Sequence, residues 1–233
     1  MQMSSSCPGH VLGVFVLRLP TSDSPFVPWR SGVEIPRSNS VTRLTFRHLR
    51  LSLALMRVAG GVNRGRRLRY PRTGLRPTRN IVKQAIFNML RSRVAGARVA
   101  DLFCGAGALG IEALSAGAAS AIFVEQDRRT VSLLKENLVP FAERARVIAG
   151  DVARVLPRLA GEQFDIILAD PPYQHGQDTE TLQLVARHGL LKPGGVVVLE
   201  HSRRDQPAIP AEFSLTRTHK YGDTIVSLIR SAD

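Results

Sequence analysis

The most specific chemical motif of the sequence is Asp170-Pro171-Pro172-Tyr173, which follows the apolar run FDIILA at 164–169. Proline fixes the backbone φ angle and has no amide hydrogen, so two consecutive prolines present carbonyl acceptors in a rigid arrangement. Asp170 adds a carboxylate acceptor, and Tyr173 adds a ring on which a nucleic-acid base can stack. These acceptors suit an exocyclic NH2 group, because they hold both hydrogens while the nitrogen lone pair faces an electrophile. A plain Asp-Pro turn at a strand end is the structural alternative.

A glycine-rich stretch, DLFCGAGALG at 101–110, has the composition of a cofactor-binding loop. Gly105, Gly107 and Gly110 fit the G-x-G-x-x-G spacing, in which glycines let the backbone approach a ligand at the start of a helix. Glu125 follows about 20 residues on, where a carboxylate can hydrogen-bond a ribose diol. The pattern indicates an adenosine-containing cofactor, but it does not separate NAD from S-adenosylmethionine. A glycine-rich tight turn without a ligand is the structural alternative.

Two further aspartates favour S-adenosylmethionine. Asp101 precedes the glycine loop, where a carboxylate can orient an ammonium group, and Asp151 follows the third predicted strand, where it can accept the adenine amino group. The carboxyl ends of adjacent parallel strands meet in one crevice, so both aspartates are expected there with Glu125. Each aspartate taken alone is more often a loop-capping residue. The predicted cofactor-binding residues are Asp101, Phe103, Gly105, Gly107, Gly110, Glu125 and Asp151, and Cys104 is expected to be a packing residue.

The elements that must position these residues alternate between strand and helix from residue 98 onward. Apolar runs RVADLF, SAIFVEQD, ARVIAGD, FDIILADPPY and GVVVLEH predict five strands, separated by the helical stretches ALGIEALSAG, RRTVSLLKENLVPF, DVARVLPRL and TLQLVARHGLLKPG. Continuous apolar strands between helices predict a parallel sheet covered on both faces. FSLTRTHKYG and DTIVSLIR predict a C-terminal antiparallel hairpin, which makes seven strands in total.

Positive charge is concentrated in one segment before this alternation begins. The chain has a formal net charge of +13, and no acidic residue lies between Glu34 and Asp101. Arginines form bidentate bonds with phosphates, so the segment predicts a nucleic-acid partner, against the alternative of a generally basic surface. The predicted RNA-binding residues are Arg64, Arg66, Arg67, Arg69, Arg76 and Arg79.

The basic segment contains two predicted elements. RVAGG and RRLRYP predict a small hairpin or two short strands, and RNIVKQAIFNMLRS predicts an amphipathic helix. Its apolar face comprises Ile81, Ala85 and Met89 with Val82, Ile86 and Leu90 beside them; Arg79, Lys83 and Asn88 are expected outside that face.

Residues 1–55 differ in composition from the rest of the chain, with Ser and Pro clusters and no sustained helical or strand periodicity. A secretory signal is weakly supported, whereas an Arg- and Ser-rich, acid-poor leader is compatible with an organellar transit peptide. We favour a third interpretation, in which Met56 is the true start, and we expect 1–55 to be poorly ordered. Peptides from 1–55 in the native protein would contradict that interpretation.

Composition argues against disulfide-rich, metal-binding and membrane-spanning proteins. Cys7 and Cys104 are the only cysteines and the six histidines are scattered, so neither a disulfide framework nor a metal site is predicted. The apolar runs are far shorter than the roughly 18 residues that span a bilayer. We therefore expect a cytoplasmic protein without metal or membrane partner, and a monomer as the simplest state.

Five stretches resemble the bacterial 16S ribosomal RNA guanine-N2 methyltransferase family: GLRPTRNIVKQAIFNML, DLFCGAGALGIEAL, FVEQD, ILADPPY and YGDTIVSL. The resemblance runs from about Arg57 to Ile229. It implies a Rossmann-like class I methyltransferase fold, in which residues 78–233 bind S-adenosylmethionine and a basic hairpin extension, 56–77, engages 16S rRNA within the small ribosomal subunit. It also implies that Asp170, Pro171, Pro172 and Tyr173 hold the target guanine.

Other functions remain open from the residues alone. A DNA or RNA amino-methyltransferase acting on adenine N6 or cytosine N4 can use the same proline-rich motif, although no insertion is large enough for a separate DNA-recognition domain. An NAD-dependent oxidoreductase accounts for the glycine loop but gives the Asp170 motif and the arginines no role. A non-catalytic RNA-binding module accounts for the charge only.

Overall fold

The computed structural model describes residues 56–70, 78–172 and 176–231, and within them the chain forms α-helices and a single β-sheet. The strands are β1 (Arg98–Leu102), β2 (Ser120–Glu125), β3 (Ala145–Ala149), β4 (Phe164–Ala169), β5 (Leu191–Ser202), β6 (Phe213–Tyr221) and β7 (Thr224–Ser231). The α-helices are α1 (Thr78–Leu90), α2 (Ala108–Ser115), α3 (Arg128–Asn137), α4 (Val152–Val155) and α5 (Gln177–Arg187), with 3₁₀ helices at Val139–Arg144 and Leu156–Leu159.

The seven strands lie in the order β3-β2-β1-β4-β5-β7-β6. The first five are parallel, whereas β7 pairs antiparallel with both β5 and β6. This arrangement confirms the predicted sheet and its C-terminal hairpin. The strand order reverses direction between β1 and β4, which is where open α/β sheets bind ligands at their carboxyl ends.

Helices cover both faces of the sheet, as the continuous apolar strands require. Along β5, Val196 and Val198 pack in the cluster that contains α1, α2 and α3, whereas Val197 and Leu199 pack in the cluster that contains α4 and α5. Successive side chains of a strand point to opposite faces, so these clusters lie on the two sides of the sheet. We call the side covered by α1, α2 and α3 the α1 face.

Residues 56–70 form the predicted hairpin and pack on the α1 face. Arg57 and Arg67 form an antiparallel bridge, and the amide of Leu68 donates to the carbonyl of Met56 at 3.0 Å. Val58 and Leu68 are buried in the same apolar cluster as α1. The hairpin therefore belongs to the core, although most of its arginines point into solvent.

Two helix predictions needed correction. Ile81, expected on the apolar face of α1, is 61% exposed, whereas Lys83, expected outside that face, is 3% exposed. The buried face is instead formed by Val82, Ile86 and Leu90, and Lys83 has a buried partner that periodicity does not reveal. The helix predicted over TLQLVARHGLLKPG is α5, which begins earlier, at Gln177, and ends earlier, at Arg187. It ends there because Gly189 adopts a left-handed φ of 59° and turns the chain into β5, which includes the LKPG residues.

Several predictions concern residues outside the described ranges. They are the poor order of residues 1–55, the role of Arg76 and the role of Tyr173; for Arg79 only the main chain is described. Across the described residues, no helix is long and apolar enough to cross a bilayer.

Candidate active site

A cavity of about 730 Å³ opens at the carboxyl ends of the parallel strands. Its volume is in the range of sites that bind cofactors and other small molecules. The predicted site residues that line it are Asp101, Phe103, Gly105, Glu125, Asp151, Asp170, Pro171 and Pro172. Glu200 near the end of β5, the turn from Tyr221 to Thr224, and Met56 and Tyr70 of the hairpin also line it. The fold thus brings the two predicted motifs into one cleft.

The glycine loop owes its shape to three glycines with different roles. Gly105 and Gly107 have positive φ angles of 55° and 86°, in the left-handed region that favours glycine. A Cβ on Gly105 would meet no atom within 4 Å, so its backbone faces open space. A Cβ on Gly110 would lie 2.3 Å from the Phe123 ring, so this glycine lets α2 pack closely against the sheet. Phe103 also has a positive φ, of 57°, although it is not a glycine.

Asp101 lies under the loop with only 2% of its surface exposed. Its Oδ2 atom accepts a hydrogen bond of 2.7 Å from the amide of Gly110. Burial raises the pKa of Asp101 from its ordinary value of 3.8 to about 7; the Gly110 amide opposes this shift, and the charges of Asp170 and Glu125 add to it. The site therefore holds a carboxyl that a cationic ligand would favour in its charged form.

Glu125 and Asp151 follow the neighbouring strands and are held by backbone amides. The two oxygens of Glu125 accept from Gly105 N at 2.9 Å and from Asp127 N at 2.8 Å. Asp151 caps α4, where Oδ1 accepts from Arg154 N at 3.2 Å. An ionised carboxylate has about four acceptor positions, so these bonds orient both side chains and leave room for a ligand's donors. Asp151 is thus a capping residue that also borders the cavity.

The Asp170 motif follows β4, the strand next to β1, and lines the same cleft. Asp170 is half-buried, Pro171 is buried and Pro172 is exposed. Asp170 lies near enough to Asp101 for its charge to raise the pKa of that carboxyl. Two acidic side chains from neighbouring strands therefore face one cavity, one beside the glycine loop and one beside the prolines.

Cys104 fits the packing role expected of it. Burial raises the pKa of its thiol, and the nearby charges of Asp101 and Glu125 act in the same direction. A thiol that remains protonated is a poor nucleophile. Cys104 therefore serves as a packing residue against the core, and the loop presents its backbone to the cavity.

The basic hairpin is attached to the domain by a buried polar network that the sequence did not predict. Lys83 and Glu112, each 3% exposed, form an ion pair of 2.8 Å. Glu112 also accepts from the amides of Ala59 at 2.9 Å and Gly60 at 2.6 Å. Polar residues inside the apolar stretches IVKQAI and GIEAL were the available signal, but neither indicates its partner.

Asn137 provides a second attachment, which reaches the glycine loop. Its Oδ1 accepts from the amide of Arg69 at 2.8 Å, and its Nδ2 donates to the carbonyls of Arg69 at 2.9 Å and Ala106 at 3.0 Å. The base of the hairpin is therefore fixed directly to the loop between Gly105 and Gly107.

The four predicted RNA-binding arginines that lie on the hairpin differ in their surroundings. Arg64 and Arg67 are exposed and Arg66 is half-buried, whereas Arg69 pairs with Glu136 on the surface. Arg69 is therefore the described hairpin arginine with an acidic partner on α3. The structure brings the four to one hairpin whose ends, Met56 and Tyr70, line the cavity.

Comparisons with known proteins place this geometry in context. The family described as conserved hypothetical protein 95 matches residues 56–230. Ribosomal RNA small subunit methyltransferase D of Escherichia coli (strain K12) is 36% identical over 176 residues, which are 74% of this chain and 88% of that protein. YlbH of Bacillus subtilis (strain 168) is 36% identical over 181 residues, 75% of this chain and 98% of its own. The solved structure of yhhF from Escherichia coli has 35% identity and a TM-score of 0.69, covering 76% of this chain and 98% of that one.

Proposed function

We propose that the protein methylates small-subunit ribosomal RNA. The chain belongs to the conserved hypothetical protein 95 family, and its relatives include ribosomal RNA small subunit methyltransferase D. The methyl donor is S-adenosylmethionine, and the acceptor is the exocyclic N2 of a guanine in 16S rRNA. One observation carries the proposal: the glycine loop with Asp101 and Glu125 and the Asp170-Pro171-Pro172 motif line the same cavity.

The residues of the first half of the cleft fit S-adenosylmethionine. Gly105 leaves open space at the loop, and the three carboxyl side chains suit three separate donors of such a molecule. In this assignment Asp101 holds the ammonium group, Glu125 the ribose diol and Asp151 the adenine amino group. The raised pKa of Asp101 supports its part, because a cationic neighbour restores the charged form of a buried carboxyl.

The second half of the cleft fits a planar base with an amino group. Asp170 accepts one hydrogen of the amino group, and a main-chain carbonyl of the proline motif accepts the other, so that the nitrogen lone pair is directed into the cavity. When bound, S-adenosylmethionine supplies an electrophilic methyl group on a sulfonium. The protein contributes chiefly by holding the amino group in position and by excluding water from it, effects that can lower a barrier by several kcal/mol. In this assignment Asp170 also takes up the proton that the amino nitrogen releases.

The basic hairpin supports RNA as the polymer. Arg64 and Arg67 are exposed on an element that begins and ends at the cavity. Exposed arginines next to a base-sized pocket allow phosphate contacts while one base enters the cleft. Tyr173, for which we propose stacking on the target base, follows Pro172 directly in the sequence.

Transfer of a labelled methyl group tests the proposal. The protein is incubated with methyl-labelled S-adenosylmethionine and, separately, naked 16S rRNA, assembled small subunits or duplex DNA, with Asp170→Ala protein as the control. We expect label in rRNA, in one or both of its forms, and N2-methylguanosine after nuclease digestion. Labelled N6-methyladenosine or N4-methylcytidine in its place would contradict the assignment of the amino group. Methylation of DNA but not of rRNA would overturn the proposed substrate.

A further inference from the structure

Strand β6 forms an edge of the sheet and is exposed along almost its whole length. Its sequence, FSLTRTHKY, contains Arg217, His219 and Lys220 and no acidic residue. Neither Arg217 nor Lys220 forms an ion pair with another residue in the part of the chain that the structure describes. This strand is therefore a second concentration of positive charge, far in sequence from the arginine-rich hairpin.

The register of β6 places part of this charge on the α1 face of the sheet, the face on which the hairpin also packs. Arg217 pairs with Leu228 and His219 pairs with Val226, and both partners are buried in the cluster under α1. Directly paired residues of antiparallel strands share a face, so Arg217 and His219 lie on the α1 face. Lys220 pairs with Ile225 and lies on the other face, close to the end of the strand.

The charged end of β6 leads directly to the cavity. Tyr221 ends the strand, and the turn from Tyr221 to Thr224 lines the cleft. At about 3.3 Å per residue, Arg217 is roughly 13 Å along the strand from Tyr221. The amide of Arg203 donates to the carbonyl of Asp223 in that turn at 2.9 Å, which places the exposed pair Arg203 and Arg204 beside it.

A polynucleotide whose base enters the cleft continues from both sides of that base, with phosphates on each side. The arginine-rich hairpin is attached to α2 and α3 through Glu112 and Asn137. The turn from Tyr221 to Thr224, by contrast, belongs to the strands at the other end of the sheet. We propose that Arg203, Arg204, Arg217 and Lys220 form a second RNA-binding surface along the exposed β6 edge, the edge patch, which contacts the phosphates that leave the cleft toward β6 and away from α2 and α3. This inference rests on the proposed function and adds a surface to it.

Protection of the sheet edge is a different role for charges on β6. Lysine and arginine on an edge strand prevent pairing with another chain. That role gives no reason for Arg203 and Arg204, which lie in a turn and not on the edge strand. Arg203 and Arg204 are attached to the cavity-lining turn through the Arg203–Asp223 hydrogen bond, and Lys220 directly precedes that turn.

The test compares two variants with equal loss of charge. The first variant, Arg217→Gln/Lys220→Gln, alters the edge patch. The control variant, Arg158→Gln/Arg187→Gln, alters two exposed arginines on the side of the sheet that α4 and α5 cover. Binding of a labelled 16S rRNA fragment is measured from 50 to 200 mM salt, together with KM and kcat for methyl transfer. For the edge variant we expect Kd and KM to rise about 2- to 30-fold, as for two exposed ion pairs, with kcat within twofold. The slope of log Kd against log salt should fall by roughly 1.4, at about 0.7 per phosphate contact of a single strand.

Each outcome separates the inference from the proposed function. If the edge variant keeps the wild-type salt slope and KM, or if the control changes as much as the edge variant, the edge patch does not bind RNA, although rRNA methylation by the wild type stands. If the edge variant keeps its RNA affinity but self-associates in sedimentation, the charges protect the edge and the inference is wrong. If wild-type protein methylates no rRNA in any form, the proposed function itself fails.

Discussion

Replacing Asp101 by asparagine should stabilise the ligand-free protein at pH 8. The wild-type carboxyl is buried, and burial raises its pKa from 3.8 to about 7. A carboxyl whose pKa is raised on folding binds a proton more readily in the folded state, so the stability of the fold decreases as the pH rises from 3.8 to 7. At 1.36 kcal/mol per pKa unit, the raised pKa lowers the free energy of unfolding by about 4 kcal/mol at pH 8 and by only about 2 kcal/mol at pH 5. Asparagine removes the charge and keeps an oxygen that can accept from Gly110.

The assay is urea unfolding of wild type and Asp101→Asn at pH 5, 6, 7 and 8. The stability difference in favour of the variant should grow by about 2 to 3 kcal/mol across this range. Asp127→Asn is the control, because Asp127 is exposed and caps α3 by accepting a hydrogen bond from the amide of Thr130, which lowers the pKa of Asp127. Its contribution to stability is present above the unfolded pKa and is lost only as the pH falls toward the folded one, so its variant should be less stable by a constant amount from pH 5 to 8.

A constant difference between wild type and Asp101→Asn across this range would refute the reasoning, since it would mean that the carboxyl is not held at a raised pKa. The same variant should bind S-adenosylmethionine more weakly than wild type at pH 8, measured by calorimetry. Stability gained together with cofactor affinity lost would show that the buried charge serves binding. Unchanged affinity would mean that Asp101 does not bind the cofactor.

Three other changes test separate parts of the molecule. Asp170→Ala should reduce methyl transfer about a hundredfold or more while cofactor affinity in calorimetry stays near wild type; a large fall in affinity would mean that Asp170 belongs to the cofactor site. Lys83→Met should cost about 3–5 kcal/mol in urea unfolding because Glu112 stays buried without its cation, and a loss below 1 kcal/mol would contradict a buried pair. Replacing Arg64, Arg66 and Arg67 by glutamine should weaken rRNA binding and flatten its salt dependence, because these are the predicted RNA-binding arginines of the hairpin that have no described acidic partner; an unchanged slope would exclude this surface of the hairpin as the docking site.

The fold and the two motifs were predictable because they depend on short-range patterns. Apolar strands alternating with helices require a sheet covered on both faces, and the order β3-β2-β1-β4-β5-β7-β6 has that form. The glycine loop is a strand–loop–helix unit whose shape is set within ten residues. Asp170 follows a buried strand, and the carboxyl ends of parallel strands meet, so its entry into the cleft with Asp101 follows from connectivity.

Pairing between distant residues was not predictable. Helical periodicity assigned Lys83 to solvent, since that rule assumes that a charged side chain prefers water. In the folded protein Glu112 and the hairpin provide a buried partner, so the lysine is 3% exposed and Ile81 takes the exposed position. Asn137 likewise joins Arg69 to the glycine loop, although nothing near it in sequence indicates either partner.

The sequence alone thus determined the sheet, the glycine loop and the Asp170 motif, because each is encoded in a contiguous stretch. Only the tertiary structure decided which charges are buried, which are paired and which remain exposed. It removed Arg69 from the arginines without an acidic partner and placed Arg217 on the same face as the hairpin. The physical reason is that ion pairing and desolvation depend on distances between elements, which no local pattern records.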